Sequence, residues 1–235
     1  MLSLVITPTD GGTPWRHLLA EGEARAGWAV VGPLGLARSL GKMLGDDAEP
    51  APAPERVAAL DSRLEADDDG ERSWSTARAD DPLGVAAFVL VLRDRLRAAG
   101  WDRAPLDASR RLADLSRVEA LVGPGVPALP PGLADVEHAL AARIRSGGLP
   151  EPLEVALSAP REAYSRSLLI VVDALRGAGA PVREAALDEP SAPAGSDLAR
   201  LQSALADPGA PPAPEGERMG LAGDGSVLAL EADTP

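Results

Sequence analysis

The chain has 235 residues, 45% of them hydrophobic and only 3% aromatic, enough for one large domain or two small ones with a core of Leu, Val and Ala. Its formal net charge of −13 is the opposite of what a surface that grips nucleic acid through the phosphates requires. With no cysteine, disulfides, thiol catalysis and thiolate metal sites are excluded, and no apolar run approaches the roughly 20 residues that span a bilayer.

In chain order, Leu2–Ile6 reads as a buried strand ended by Thr7-Pro8-Thr9-Asp10-Gly11-Gly12, and Ala29–Val31 as a second strand. A turn at Gly32-Pro33 then opens a helix from Leu34 to Leu44, followed by a Pro/Ala linker from Glu49 to Pro54. Residues 55–122 read as helical. Val57, Leu60 and Leu64 recur at helical spacing, and Asp67-Asp68-Asp69-Gly70 closes that segment. Asp80-Asp81-Pro82 predicts a helix start, with acidic residues at the positive end and proline in the first turn. That helix runs to Ala99, with Val85, Phe88, Leu92 and Leu96 on the apolar face and Arg93, Asp94, Arg95 and Arg97 mostly solvated.

A further helix is expected over Arg110–Leu121, a Pro/Gly loop over Gly123–Gly132, and a helix over Leu133–Ser146. Leu153–Leu157 alternates like a strand, Pro160 starts a helix to Leu175, and Pro181–Leu187 begins another strand. Ser196–Ala206 reads as a short helix and Ser226–Glu231 as a last strand. The strand–helix–strand run marks a parallel α/β unit, so the expected order is α/β core (1–50), helical insertion (51–148) and α/β core again (149–235).

The stretch "VVGPLGLARSLGKM" (Val30–Met43) looks like a phosphate-binding loop and holds Lys42, the sole lysine among 23 basic residues. A loop of the Walker type surrounds phosphates with glycine-freed backbone N–H groups, reaches them with Lys and binds magnesium with Ser or Thr. Gly35 and Gly41 stand one residue too far apart for that, and Met43 occupies the hydroxyl position. Leu36, Leu40 and Leu44 share a helical face, so Gly41-Lys42 is expected inside a helix.

The acidic run Asp67–Glu71 lacks the alternating ligands of a calcium loop and reads as a solvated helix terminus. His17 and His138 are isolated and read as surface histidines, and Ser158 and Ser165 lack a nucleophile-elbow setting. Trp74, Phe88 and Trp101 read as core packing in preference to base stacking. No residue is assigned a catalytic, cofactor-binding or metal-ligating role, and no cofactor is expected.

Several stretches resemble the N-terminal part of a bacterial PD-(D/E)XK nuclease family protein, the AddB-type helicase–nuclease of DNA repair and recombination. They are Trp28–Gly45, Glu55–Leu64, Trp74–Asp102, Arg110–Glu119, Leu153–Tyr164 and Leu221–Pro235. The resemblance keeps its order over most of the chain, through structural motifs of moderate specificity. It implies a RecA-like (P-loop NTPase-like) parallel sheet core interrupted by a helical insertion, with a degenerate phosphate loop. It further implies a non-catalytic, helicase-like region that scaffolds a nuclease domain or partner subunit, although the parent family is a DNA nuclease and helicase. The family's nuclease carboxylates and lysine lie downstream of anything matched, so none is carried over, and the chain is expected to be a truncated piece. The partners implied are a helicase–nuclease partner subunit or the C-terminal nuclease domain, with DNA reached only through the full-length protein and no membrane. A cytoplasmic location is expected, since no basic region followed by an apolar stretch opens the chain. The alternative is a free-standing acidic α/β protein-interaction module with no DNA role.

Overall fold

The computed structural model describes residues 2–10, 28–45 and 49–184. Within them β1 (Leu2–Ile6), β2 (Trp28–Val31), β3 (Leu153–Leu157) and β4 (Val182–Glu184) form a four-stranded sheet. Its order is β2-β1-β3-β4 and every pairing is parallel, with Leu4 opposite Ala29 on one side and Val155 on the other. The fold is therefore α/β with an all-parallel sheet. The helices are α1 (Pro33–Leu44), α2 (Ala53–Asp67), α3 (Ser75–Asp80), α4 (Pro82–Ala98), α5 (Arg110–Ala120), α6 (Leu133–Gly147) and α7 (Arg166–Gly177).

The inner strands β1 and β3 are buried on both faces, as parallel sheets covered on both sides demand. Leu4, Ile6, Leu153, Val155 and Leu157 pack with Leu36 and Leu40 of α1, Val136, Leu140 and Ile144 of α6, and Leu168, Val172 and Leu175 of α7. The alternation expected of Leu153–Leu157 does not produce a wet face. Glu154 is buried, and its carboxylate pairs with Arg183 of β4 at 2.7 Å.

Helices α2, α4 and α5 build a second cluster, with Leu60, Leu64, Trp74, Ala86, Val89, Leu90, Leu115 and Val118 at its centre. Helix α6 falls within the stretch read as the insertion, yet it packs in the sheet's own core beside α1 and α7. Two helix boundaries differ from the sequence reading. Trp74 opens the short helix α3, which no periodicity announced. The segment after Pro160 makes only a 3-10 turn at Arg161–Ala163, and α7 starts where the Ser165 side chain accepts from the Leu168 amide. The Ser196–Ala206 helix, the Ser226–Glu231 strand, the end of the Pro181–Leu187 strand and His17 lie outside the described residues.

The polar residues of α4 overturn another expectation. Arg93 is 1% exposed and Arg97 is buried, whereas Phe88 is 68% exposed and Val91 is 50% exposed. The buried face of α4 runs through Ala86, Val89, Leu90, Arg93 and Arg97, about a third of a turn from the expected stripe, of which Val85, Leu92 and Leu96 still pack half-buried against the cluster and Phe88 does not. The two arginines can be buried because carboxylates meet them. Arg93 donates to Asp135 at 2.5 and 2.9 Å and to Glu119 at 2.9 and 3.2 Å, and Arg97 donates to Asp135 at 2.9 Å.

Candidate functional site

In a parallel sheet, strands whose neighbours lie on opposite sides leave a crevice at their carboxyl ends. Here the chain leaves β1 for β2 on one side and returns with β3 on the other, so that crevice lies beyond β1 and β3. The N-termini of α1 and α7, which follow β2 and β3, open at the same edge.

The segment after β1 is tied down. Thr7 donates its amide to the Val31 carbonyl at 2.9 Å and its hydroxyl to the Thr9 carbonyl at 2.9 Å. Asp10 then places a carboxylate oxygen 3.0 Å from the amide of Leu34 in the first turn of α1. Helix α1 has no cap of its own there, because Gly32 occupies the N-cap and Pro33 has no N–H. Gly32 is required by this contact: a Cβ on it would lie 2.3 Å from the Asp10 carboxylate and 2.6 Å from its Cα.

The end of β3 is clasped by Tyr164. Its hydroxyl donates to the Ile6 carbonyl at 2.8 Å and accepts from the Ala159 amide at 3.1 Å, with the Ser158 hydroxyl 3.4 Å away. Ser158 is thus buried beside a phenol, and Ser165 is a helix cap. Neither sits beside a histidine among the described contacts.

Glu137 of α6 was missed from sequence. It is 3% exposed and accepts a 2.5 Å hydrogen bond from the buried Ser167 hydroxyl of α7, while its second carboxylate oxygen has no partner. Burial pushes its carboxyl up to about 7, against the Ser167 hydrogen bond that pulls it down, and the Asp10 charge adds to the rise. The signal was present: Leu133, Glu137, Leu140, Ala141 and Ile144 follow one helical face, so a glutamate occupied an apolar position. A carboxyl poised near neutrality is the kind of group that can exchange a proton at physiological pH.

The residues weighed from sequence fall elsewhere. Gly41 and Lys42 lie in the last turns of α1, with Leu36, Leu40 and Gly41 buried and Lys42 exposed. The strand before them, β2, pairs with β1 at one end of the described strand order. Asp67 is not solvated but buried, held by Arg72 at 3.0 Å and Arg117 at 2.9 Å. Its neighbours make local turns, Asp68 accepting from the Gly70 amide and Asp69 from the Glu71 amide, both at 3.0 Å. His138 is half-buried, its Nε2 3.2 Å from the Arg97 carbonyl, and burial lowers its pKa. Trp74 is core and Trp101 donates its indole N–H to the Ala104 carbonyl, but Phe88 faces solvent.

Among the described residues no group of three or more His, Cys, Asp or Glu side chains could hold a metal ion. No helix among them is long and apolar enough to cross a membrane. No model of a known protein family matches the chain, and no curated protein matches it.

Proposed function

We propose that the chain is a non-catalytic, helicase-like scaffold, the RecA-like N-terminal region of a bacterial DNA-repair helicase–nuclease that holds a nuclease domain or partner subunit in the cytoplasm. The observation that carries the non-catalytic half is the Asp10 carboxylate on the amide of Leu34. A helix N-terminus beside the carboxyl edge of a parallel sheet is where a nucleotide phosphate is held, and here the chain fills that place with its own anion. A phosphate would have to displace Asp10 and then meet no lysine, since Lys42 lies at the far end of α1. The parallel sheet, with a separately packed helical block between β2 and β3, supports the interrupted RecA-like core.

Reading the genomic frame past the Pro235 codon tests this directly. A continuation into a nuclease domain is expected, and an authentic stop with no nuclease or helicase gene beside it would sink the helicase–nuclease assignment. A second reading, the free-standing protein-interaction module, is favoured by one observation: the apolar side chains of Phe88 and Val91 on the exposed side of α4.

A further inference from the structure

Phe88 is the only phenylalanine of the chain and is 68% exposed. It does not stand alone. Trp74, Ala77, Val85, Phe88 and Leu92 line a groove of about 280 Å³ between α3, α4 and α5. That volume lies at the lower edge of small-molecule pockets, which run from roughly 300 to 1,000 Å³. The apolar surface also continues past the groove onto Val91, which asks for a partner larger than one small molecule.

The single charged residue of the groove lining sets the sign of its partner. Its lining contains no carboxylate. Arg111 lines it from the first turn of α5 and makes no hydrogen bond or ion pair among the described residues. Arg110 and Arg111 together stand at the positive end of that helix, which has no acidic residue in its first turn. Cations are disfavoured there, and the nearest carboxylate on the helix, Asp114, is buried and engaged by the Ser73 amide and Arg72, so Arg110 and Arg111 are left for an anionic group to meet. Trp74, 5% exposed, has an indole N–H with no acceptor. The groove therefore offers apolar walls and, at Arg111, positive charge within a chain of net charge −13. Single-stranded nucleic acid fits less well, because a stacking site needs exposed aromatics in series and a basic groove along the backbone, and here one exposed aromatic borders an apolar slot.

We propose that this groove docks an acidic amphipathic helix of a partner protein, one apolar side chain entering between Trp74 and Phe88 and carboxylates facing Arg110 and Arg111. Helix-in-groove recognition takes this form, with anchors at i, i+3, i+4 and i+7 and charge at the rim. The proposal deepens the scaffold reading and rests on its partner-holding half, since it names the face on which a partner sits.

The test titrates the full 235-residue chain into a fluorescein-labelled designed helix carrying Leu at i, i+3, i+4 and i+7 and Glu elsewhere. A counterpart with Lys replacing every Glu serves as the control. Fluorescence anisotropy should show saturable binding of the Glu helix, at least about tenfold weaker for the Lys helix and for the variants Phe88→Asp and Arg111→Glu. Both substituted side chains are exposed, and unchanged circular-dichroism melts establish that the variants fold. No saturation by ~1 mM, equal binding of the two helices, or binding indifferent to both variants overturns the proposal. So does displacement of the helix by a single-stranded oligonucleotide, or self-association in the ultracentrifuge that Phe88→Asp abolishes. A stop directly after Pro235 would leave the titration unchanged, so this proposal and the helicase–nuclease assignment fail separately.

Discussion

Glu137 has an ordinary carboxyl value of 4.5 and in the fold titrates near 7, so folded and unfolded chains hold its proton over different ranges. Below pH 4.5 both keep the proton and the group imposes no penalty. Between 4.5 and 7 the unfolded chain ionises while the folded chain does not, and stability falls as pH rises. Above 7 the loss is complete, at about 3 kcal/mol. Ser167 donates to Glu137 and the Asp10 charge acts on it, and neither is a cation that could compensate. Glu137→Gln keeps an acceptor for Ser167 and has no charge to desolvate. Urea melts should find this variant more stable than the parent by up to about 3 kcal/mol at pH 8 and nearly equal to it at pH 4. At the same edge, Asp10→Ala removes the α1 cap and is expected to cost about 1 kcal/mol in urea melts at pH 7. Gly32→Ala should cost more than that, because its methyl would overlap the Asp10 backbone as well as the carboxylate.

Among the elements, α4 shows how a helix can be placed correctly and its face misassigned. Its start was legible: Asp81 accepts from the Gly84 amide and Pro82 opens the first turn, as the acidic pair before proline implied. Its face was legible only in part: Val85, Leu92 and Leu96 do pack half-buried on the cluster, but Phe88 outweighs Ala86 and Val89 in hydrophobicity and Arg93 and Arg97 look solvated. What decides the face is a tertiary fact, the presence of Asp135 and Glu119 from two other helices, and no local pattern displays it. Helix α2 repeats the lesson, with Arg56, Leu60, Arg63, Leu64 and Asp67 on one buried face. There one terminal nitrogen of Arg63 donates to the carbonyls that end α5, those of Val118, Glu119 and Leu121, and the other to that of Pro127, while its Nε is left without a partner. Strand β1 was legible as a short apolar run and β3 by its alternation, although Glu154 proved buried, while the burial of Glu137 depends on Ser167 of another helix, a partner outside any local pattern. For α4, Arg93→Ala leaves Asp135 and Glu119 as buried charges short of a partner and should cost about 3–5 kcal/mol by chemical denaturation.

For the molecule as a whole, the same carboxylate joins two cores. Asp135 belongs to α6, which packs against the sheet, yet it accepts from Arg93 and Arg97 of α4 and from Arg103 beyond it. Burial alone would raise the Asp135 carboxyl, but the Arg93 hydrogen bonds and charge hold it far below the ordinary carboxylate range. The mirror effect acts on Arg93, where burial is outweighed by Glu119 and Asp135 and the guanidinium is held more firmly protonated. The α2–α4–α5 cluster and the sheet core thus meet through ion pairs as well as through the packing of α4 on α6 and α7. Calorimetry at pH 7 should show these regions melting together in the parent chain. Asp135→Ala is expected to separate the heat absorption into two transitions, the earlier one from the α2–α5 block.

Tyr164 offers a different use of what holds the strand ends together. It is the only tyrosine of the chain, and its hydroxyl bridges the last residue of β1 to the residue just beyond Ser158. Biosynthetic fluorotyrosine would therefore place a single fluorine at the junction of the two central strands. One magnetic-resonance line would report whether any nucleotide, peptide or proton added to the solution reaches that junction, without a crystal and without a variant.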